Sequence, residues 1–288
     1  MIYLIFVSLI WAFSFGLIKG KLAGIDSNLV SFLRLFISFL FFLPFIRVKK
    51  YSYLVRNKLM LVGLIQYGVM YSAYIYSYQY LEAYEVALFT IFTPIYVTLI
   101  NDIFNKKLNH VYLITSSIAV LGTAIVVFKE LSNFNLIIGF IIVQISNMAF
   151  AFGQVAYKKV FPKDNLVKDH ELFAWMFLGG LTFPLALSFV SVDLNNISIS
   201  LEQWLVLLYL GIAASGVGFF LWNYGARRTN TGALAIFNNL KVPLAIAVSL
   251  IAFGETTNLT NLLIGGIIVL GSLLLNQYIL SNSQKTIN

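Results

Sequence analysis

Ten apolar runs, separated by short polar connections, constrain the fold of this 288-residue chain more than any other feature. An apolar stretch of roughly 20 residues is long enough to cross the hydrocarbon core of a bilayer as a helix. The sequence therefore predicts an all-α integral membrane protein with ten transmembrane helices. The expected spans are 2–19, 28–46, 58–80, 84–103, 110–128, 134–156, 171–191, 202–225, 231–253 and 260–280.

The residue types narrow the class of protein. Charged residues make up 10% of the chain and hydrophobic residues 60%, whereas a soluble domain carries about 25% charged residues. There is no cysteine, and both histidines, His110 and His170, fall in charged connections. This composition predicts no disulfide, no metal or other cofactor and no enzyme site. The first run is predicted to be a retained helix rather than a signal peptide.

Basic residues are distributed unevenly between the two sides of the predicted membrane. With the N-terminus in the cytoplasm, fourteen of the 19 Lys and Arg residues fall in cytoplasmic connections or the C-terminal tail, and three fall outside. Arg34 and Lys241 remain within the apolar runs. Cytoplasmic loops carry an excess of Lys and Arg. The bias predicts a multi-pass protein of the cell (inner) membrane with both termini cytoplasmic, and it explains the net charge of +8 without nucleic-acid binding.

The two halves of the chain resemble each other. Pro94–Gly122 aligns with Pro243–Gly271 without a gap, and Ala12–Gly16 matches Ala149–Gly153 at four of five positions. Each half then carries five predicted helices, and this odd number makes the second half enter the membrane from the opposite side. The pattern is typical of the inverted-topology repeats of secondary transporters. The predicted repeats are residues 1–130 and 131–288.

Several of these positions carry the residues of a known family. Over essentially its whole length the chain resembles an EamA-type member of the drug/metabolite transporter superfamily. The resemblance implies transport of a small metabolite such as an amino acid, amine, carboxylate or vitamin. The first half departs from the family pattern, because Asn105–Lys106 stands where a Gly–Glu pair is usual. The resemblance is carried by Trp11, Gly16, Arg34, Tyr74–Tyr80, Ala87, Pro94, Trp222, Ala233, Pro243 and Gly254–Glu255.

A lysine and a proline interrupt the ninth predicted helix in the segment Ile236–Pro243. A lysine near the centre of a membrane helix costs about 2.5–3.5 kcal/mol on insertion scales, so Lys241 is expected to face a polar cavity. Asn238 lies three residues earlier and shares this helical face. We predict that Lys241 meets a substrate carboxylate or another acceptor and that Asn238 orients the substrate. The alternative is a lysine neutralised by a neighbouring helix in a purely structural role.

The third predicted helix carries a row of tyrosines. Tyr67, Tyr71, Tyr74 and Tyr78 recur at i, i+4, i+7 and i+11, which places them on one helical face. Hydroxyl groups at mid-membrane depth need partners, so this face is predicted to point inward. We predict an aromatic wall for the substrate with Tyr71 and Tyr74 at its centre. Packing of the tyrosines against neighbouring helices is the alternative.

Further candidates lie in three other predicted helices. Asn147 belongs to a polar stripe on the sixth helix and is predicted to orient the substrate, although amides also join helices to each other. Trp11, with Phe15 close by in the first helix, is predicted to add an apolar wall to the site. Trp222 in the eighth helix would do the same, and its alternative role is that of an anchor.

Two more charges, Arg34 and Glu85, are expected toward the outer surface. Their pairing with each other or with a helix end is the simplest interpretation. Glu85 is also the acid to consider for proton coupling, and Arg34 is the alternative cation for the site if Lys241 is not part of it.

Together these features predict a secondary transporter that moves a small organic metabolite by alternating access. An amino acid or a related amine or carboxylate is the leading substrate, because one cation with aromatic walls suits a small zwitterion. A vitamin such as riboflavin is the alternative. A membrane-embedded enzyme is disfavoured, because no cluster of nucleophiles, metal ligands or acid–base pairs lies within the runs. The expected partners are a small-molecule substrate and the lipid bilayer, and the chain is either a monomer or a homodimer.

Overall fold

The computed structural model describes residues 2–106, 134–160, 168–193, 197–229 and 231–254, together with single positions between 114 and 121 and between 260 and 279. Eight long helices and no β-strand occur in this part of the chain. In chain order they are α1 (Ile2–Lys21), α2 (Ser27–Phe45), α3 (Tyr53–Ser77), α4 (Ala83–Asn105), α5 (Phe134–Val160), α6 (Asp169–Ser191), α7 (Leu201–Arg227) and α8 (Thr231–Ala252).

Seven of these helices, α1 to α7, are each long and apolar enough to cross a membrane. The eighth, α8, has 22 residues. The predicted class of all-helical integral membrane protein is therefore confirmed. The eight helices correspond to predicted helices one to four and six to nine. The predicted helices 110–128 and 260–280 lie outside the described residues except for single helical positions, so the number of ten stays a prediction.

Helix ends extend beyond the apolar runs where the sequence supplies a cap or a solvated turn. The third run was expected to begin at residue 58, but α3 begins at Tyr53, because the side chain of Ser52 accepts a hydrogen bond from the backbone N–H of Val55. Such a cap satisfies a donor of the first turn, which has no partner within the helix. Similarly, α5 continues through Lys158 and Lys159. Apolarity marks where a helix enters the membrane rather than where it begins or ends.

Helices α3 and α7 both contain a π-helical turn near their middle. The turns are Leu64–Val69 in α3 and Leu210–Val217 in α7. A π turn places one extra residue in the helix and occurs frequently at functional sites. Side chains before and after a π turn therefore no longer share the face that they would share in an uninterrupted α-helix.

Helix α4 is irregular at its centre. Its first part ends at Phe89, a 3₁₀ turn spans Thr90–Phe92, and the helix resumes at Thr93. The cause is Pro94, which has no backbone N–H to donate to the carbonyl oxygen of Thr90. That oxygen instead accepts a hydrogen bond from the Thr93 hydroxyl at 2.7 Å.

Glycines allow α3 and α6 to cross in close contact. A Cβ atom on Gly63 would collide with the backbone carbonyl of Met176, and one on Gly179 would collide with that of Met60. Small residues of this kind let membrane helices approach backbone to backbone. Around this crossing, α2 packs against α6 and α7, α3 and α4 pack against α5, and α1 packs against α7 and α8. The arrangement leaves a space between the two halves of the chain.

Candidate functional site

A cavity of about 60 Å³ lies among the helices. This volume is smaller than the about 300–1,000 Å³ that is usual for ligand pockets, so a small organic ligand would enter only with movement of the wall. Its wall is mainly aromatic, and its charged members are two cations. Among the described residues no aspartate or glutamate lines it. The lining residues are Trp11, Ser14, Phe15, Arg34, Met70, Tyr71, Tyr74, Thr90, Ser146, Asn147, Phe150, Phe219 and Lys241.

Lys241 places the ammonium group of α8 at this cavity. The residue is 6% exposed, and its Nζ lies 5.2 Å from the ring centre of Trp11 and 5.3 Å from that of Phe150. Within the described part of the chain it has neither an acidic partner nor a hydrogen bond to protein. Cation–π contacts stabilise a charge by only about 0.5–2 kcal/mol. Its N–H donors therefore remain available for an acceptor in the cavity.

Arg34 is the second cation of the wall. Its Nη2 donates hydrogen bonds to the hydroxyls of Tyr71, at 2.7 Å, and Ser215, at 3.2 Å, and its Nε donates to Ser215 at 3.3 Å. The guanidinium also lies 4.3 Å from the ring centre of Tyr71. Among the described residues no acid pairs with it. The expected pairing with Glu85 at the outer surface is therefore absent from its contacts, and Arg34 lies at the cavity.

Glu85 does not line the cavity and has a structural role at the start of α4. Its Oε2 accepts a hydrogen bond from the backbone N–H of Glu82 at 2.8 Å, and the two residues form a reciprocal capping box. Such a box satisfies donors that the first helical turn leaves free. This geometry corresponds to the helix-end pairing considered for Glu85 from the sequence.

The tyrosine row of α3 divides into three environments. Tyr71 and Tyr74 line the cavity. Tyr67, within the π turn, is buried outside it and stacks between Phe177, at 5.1 Å, and Phe219, at 4.6 Å. Tyr78 donates a hydrogen bond to the Tyr74 hydroxyl at 2.7 Å and borders a separate vestibule. The single face predicted from spacing is interrupted, because the π turn rotates Tyr67 away from its partners.

Asn147 lines the cavity from α5, and its amide holds the irregular centre of α4. Its Nδ2 donates to the backbone oxygen of Phe89 at 2.9 Å, and its Oδ1 accepts from the Thr93 hydroxyl at 3.2 Å. Both contacts flank the 3₁₀ turn of α4. Asn147 therefore positions the part of the cavity wall to which Thr90 belongs.

Asn238 and Trp222 lie behind the wall rather than in it. The Nδ2 of Asn238 donates to Gln154 Oε1 at 3.2 Å and to the backbone oxygen of Leu234 at 3.1 Å. Trp222 is fully buried and packs on Trp11 with ring centres 4.9 Å apart. Trp11 itself is fixed by a hydrogen bond from its Nε1 to the backbone oxygen of Ala214 at 2.8 Å. Both residues support Trp11 or α8 from outside the cavity.

Sequence reasoning missed several lining residues. Phe150 lies three residues after the predicted site residue Asn147, and Phe219 lies three residues before Trp222. These positions share a face with a predicted site residue, which is the signal that could have found them. The missed residues are Ser14, Met70, Thr90, Ser146, Phe150 and Phe219.

Two ends of the helix assembly lie on opposite sides of this cavity. At the Lys19 end, α1 and α3 end and α2 begins. Tyr78 borders a vestibule of about 530 Å³ there. Lys19 forms an ion pair with Glu82 at 3.3 Å, and their side chains are 29% and 49% exposed. This end is therefore wide and its charges are solvated.

At the Asp169 end, α3 and α6 begin and α5 and α7 end. The Asp169 carboxylate accepts a hydrogen bond from the Tyr157 hydroxyl at 2.6 Å and pairs with Arg227 at 3.4 Å and Arg228 at 3.6 Å. The side chains of Asp169 and Arg227 are 2% and 1% exposed. This ion-pair cluster joins three helices, and its Asp169–Arg227 pair is almost fully buried.

A second acidic residue completes the Asp169 end. The Glu171 carboxylate pairs with Lys50 at 2.7 Å and accepts a hydrogen bond from the Tyr51 hydroxyl at 2.7 Å. Burial and the adjacent Glu171 carboxylate raise the pKa of Tyr51, so its hydroxyl stays protonated as the donor. Between this end and the cavity, the side-chain amides of Gln66 and Asn223 form a buried reciprocal pair with distances of 3.0 and 3.1 Å.

The helical architecture agrees with the comparisons to known proteins. Residues 1–128 and 137–277 match the EamA-like transporter family, and the chain belongs to it. A solved crystal structure of a protein that is 14% identical superposes with a TM-score of 0.71 and covers 96% of each chain. At this identity the likeness concerns the fold alone.

Curated relatives carry more specific names. The chain is 36% identical over 275 residues to the biotin transporter of Escherichia coli strain K12, covering 95% of this chain and 91% of the relative. It is 34% identical to the biotin transporter of Salmonella typhimurium with the same coverage. A probable biotin transporter of Pseudomonas aeruginosa is 35% identical, with 96% of each chain covered. The family and these names are those of small-molecule transporters rather than enzymes.

Proposed function

We propose that this protein is a secondary transporter that carries biotin, or a close structural analogue of biotin, across the cell membrane. The observation that carries the proposal is the pairing of an unneutralised cation, Lys241, with an aromatic cavity whose described wall has no acid. Biotin has one carboxylate, a short methylene chain and a compact fused ring bearing a neutral cyclic urea. The names of the relatives support the same substrate.

Charge separates this substrate from the amino acid favoured by the sequence. An amino acid carries an ammonium group that needs an anion or several acceptors in a desolvated site. Here the charged groups of the described wall are Arg34 and Lys241, both positive. Riboflavin has an uncharged ring system and would leave Lys241 without a counter-charge. A monocarboxylate with an otherwise neutral body matches the cavity better than either.

Lys241 supplies the attraction for the carboxylate. A buried charge without a partner is costly, whereas a paired and hydrogen-bonded one is tolerated. The carboxylate of the substrate would provide that partner when it enters. The methylene chain and ring would pack against Trp11, Phe15 and Phe219, since apolar surface removed from water contributes about 25 cal/mol per Å².

The proposed mechanism requires two halves that rock about the central cavity. Helix packing supports such a repeat, because the contact of α1 with α8 recurs as that of α5 with α4, and the contact of α3 with α6 recurs as that of α7 with α2. The π turns of α3 and α7 also occupy corresponding helices. We propose ten helices in two inverted repeats with both termini, and therefore the Asp169 end, in the cytoplasm.

Uptake by purified protein in liposomes tests this function. Radiolabelled biotin should accumulate, and unlabelled biotin should compete while riboflavin and a mixture of amino acids should not. Lys241→Met, which keeps much of the side-chain length and removes the charge, should reduce biotin uptake by about tenfold or more, the effect of a hydrogen bond to a charged group.

Lys158→Met is the matched control for that substitution. Lys158 lies at the end of α5, where its Nζ donates to the backbone oxygen of Thr229 at 3.0 Å, outside the cavity wall. Its uptake should be close to that of the parent protein. Uptake of amino acids without uptake of biotin would contradict the proposed substrate, and normal biotin uptake by Lys241→Met would remove Lys241 from the site.

A further inference from the structure

Two buried arginines of this protein have opposite surroundings. Arg227 is neutralised by Asp169, whereas Arg34 is 1% exposed and is held by the neutral hydroxyls of Tyr71 and Ser215. Hydroxyl groups accept the hydrogen bonds of a guanidinium but do not cancel its charge. Arg34 also differs from Arg227 in lining the cavity. Arg34 is therefore in a position to recognise a hydrogen-bond acceptor of a ligand in the cavity.

The hydrogen bonds of Arg34 restrict what it can recognise. Its Nε and Nη2 already donate to Tyr71 and Ser215. Its Nη1 has no hydrogen-bond partner among the described residues. An arginine binds a carboxylate best through two parallel N–H bonds from neighbouring nitrogens. With two of its three nitrogens occupied, Arg34 retains the geometry for one acceptor atom rather than for a carboxylate.

Lys241 has the complementary properties. No protein acceptor in the described part of the chain uses its three N–H donors, and its contacts are the faces of Trp11 and Phe150. An ammonium group on a flexible stem can follow a carboxylate without a fixed fork geometry. The two cations of the wall are therefore chemically unequal.

We propose that Arg34 is a specificity-determining residue that recognises the neutral urea oxygen of the substrate, while Lys241 binds its carboxylate. The inference rests on the proposed function and assigns the two ends of biotin to two different cations. Tyr71 and Ser215 are positioning residues, because their hydroxyls leave Nη1 as the free donor of Arg34. The hydroxyls also bond to each other at 2.8 Å, which fixes the pair across α3 and α7.

Ligand analogues combined with variants test whether Arg34 and Lys241 bind different ends of the substrate. Binding constants would be measured by calorimetry on purified protein for biotin, for biotinol, in which an alcohol replaces the carboxylate, and for 2-iminobiotin, in which an imino nitrogen replaces the urea oxygen. The parent protein should prefer biotin over each analogue by about tenfold or more, since biotinol lacks the charged partner of Lys241 and the protonated cyclic guanidine of 2-iminobiotin presents positively charged N–H donors to Arg34 in place of an acceptor oxygen.

Each variant should remove one preference and keep the other. Lys241→Met should lower the biotin-to-biotinol preference to about one while retaining discrimination against 2-iminobiotin. Arg34→Gln should do the reverse. Tyr71→Phe keeps the ring but removes the hydroxyl that holds Arg34, so it should weaken discrimination against 2-iminobiotin alone. This third variant keeps the test available where Arg34→Gln does not fold.

Arg56→Gln and Lys158→Met are the controls, because both residues lie outside the cavity wall, and both preferences should be unchanged in them. Loss of the biotinol preference in Arg34→Gln, or unchanged discrimination against 2-iminobiotin in both Arg34→Gln and Tyr71→Phe, would overturn the assignment while leaving biotin as the substrate. A folded parent protein that binds no biotin would instead overturn the proposed function and this inference with it.

Discussion

The Asp169 end and the Lys19 end of the protein are both held by ion pairs, but the pairs differ in their contact with solvent. Asp169 and Arg227 are almost fully buried, and Tyr157 adds a third hydrogen-bonded group. Lys19 and Glu82 are substantially exposed, and the adjacent vestibule is the larger of the two cavities described here. Among the described residues, the Asp169–Arg227 pair is therefore shielded from solvent and the Lys19–Glu82 pair is not.

This contrast matters because buried and exposed charges differ in what they contribute. An exposed pair contributes about 0–1 kcal/mol, since water screens it. Breaking a buried pair by removing one partner costs about 3–5 kcal/mol, because the other charge stays buried alone. The same type of contact can therefore fix one end of the helix assembly and leave the other end free to rearrange.

Removal of the buried acid should have the largest effect. Asp169→Asn keeps the shape of the side chain but leaves Arg227 without an anion, so the free energy of unfolding should fall by about 3–5 kcal/mol. Thermal denaturation of the purified protein in detergent would measure the loss. Glu82→Gln at the Lys19 end is the matched variant and should change stability by about 1 kcal/mol or less. Equal losses in the two variants would remove the distinction between the ends.

Glycine substitutions should also lower stability more at one position than at another, but by less than the substitution of Asp169. Gly63→Ala places a methyl group against the backbone carbonyl of Met176, which cannot move without shifting α6. Overpacking of this kind costs about 1–3 kcal/mol. Gly20→Ala, near the Lys19 end, would meet only the ring of Phe253 at 3.2 Å, and the ring can shift. The helix propensity of alanine should offset that contact. A melting temperature lowered equally by both changes would show that the tight α3–α6 crossing has no special role.

A labelling experiment that leaves stability unchanged would establish which end faces the cytoplasm. The chain has no cysteine, so one introduced at exposed Asn57, near the Asp169 end, or at exposed Gln79, near the Lys19 end, is the single reactive thiol. A membrane-impermeant maleimide added to whole cells should label Gln79→Cys. Asn57→Cys should react only after the cells are opened. The reverse pattern would invert the proposed orientation.

The sequence predicted the parts of this site that membrane physics makes conspicuous. Lys241 stands out because a charge in an apolar helix is expensive, and Tyr71 and Tyr74 stand out because their hydroxyls are too deep for an interface belt. All three lie in the cavity wall. The helices themselves were predictable because spans of sufficient apolar length have few alternatives. Whether these side chains bind substrate stays a prediction.

Other parts of the site depend on packing that no local pattern encodes. Asn238 and Trp222 were predicted as substrate contacts, yet they lie behind the wall, because the rotation of a helix is set by its neighbours. Phe150 and Phe219 were missed because phenylalanine is equally suited to lipid, core and ligand. Spacing alone also placed Tyr67 with Tyr71, although the π turn separates them.

The π turn of α3 places one extra residue in the middle of this helix. An α-helix turns by about 100° per residue. If the π turn moved along the helix, the side chains that it passed would rotate to a new face, and the helix would stay intact. The stretch that follows the turn contains Tyr71 and Tyr74. Helix α7 has a similar π turn just before Phe219. Tyr71 and Tyr74 of α3 and Phe219 of α7 all follow a π turn, and a shift of either turn along its helix would change which side chains line the cavity.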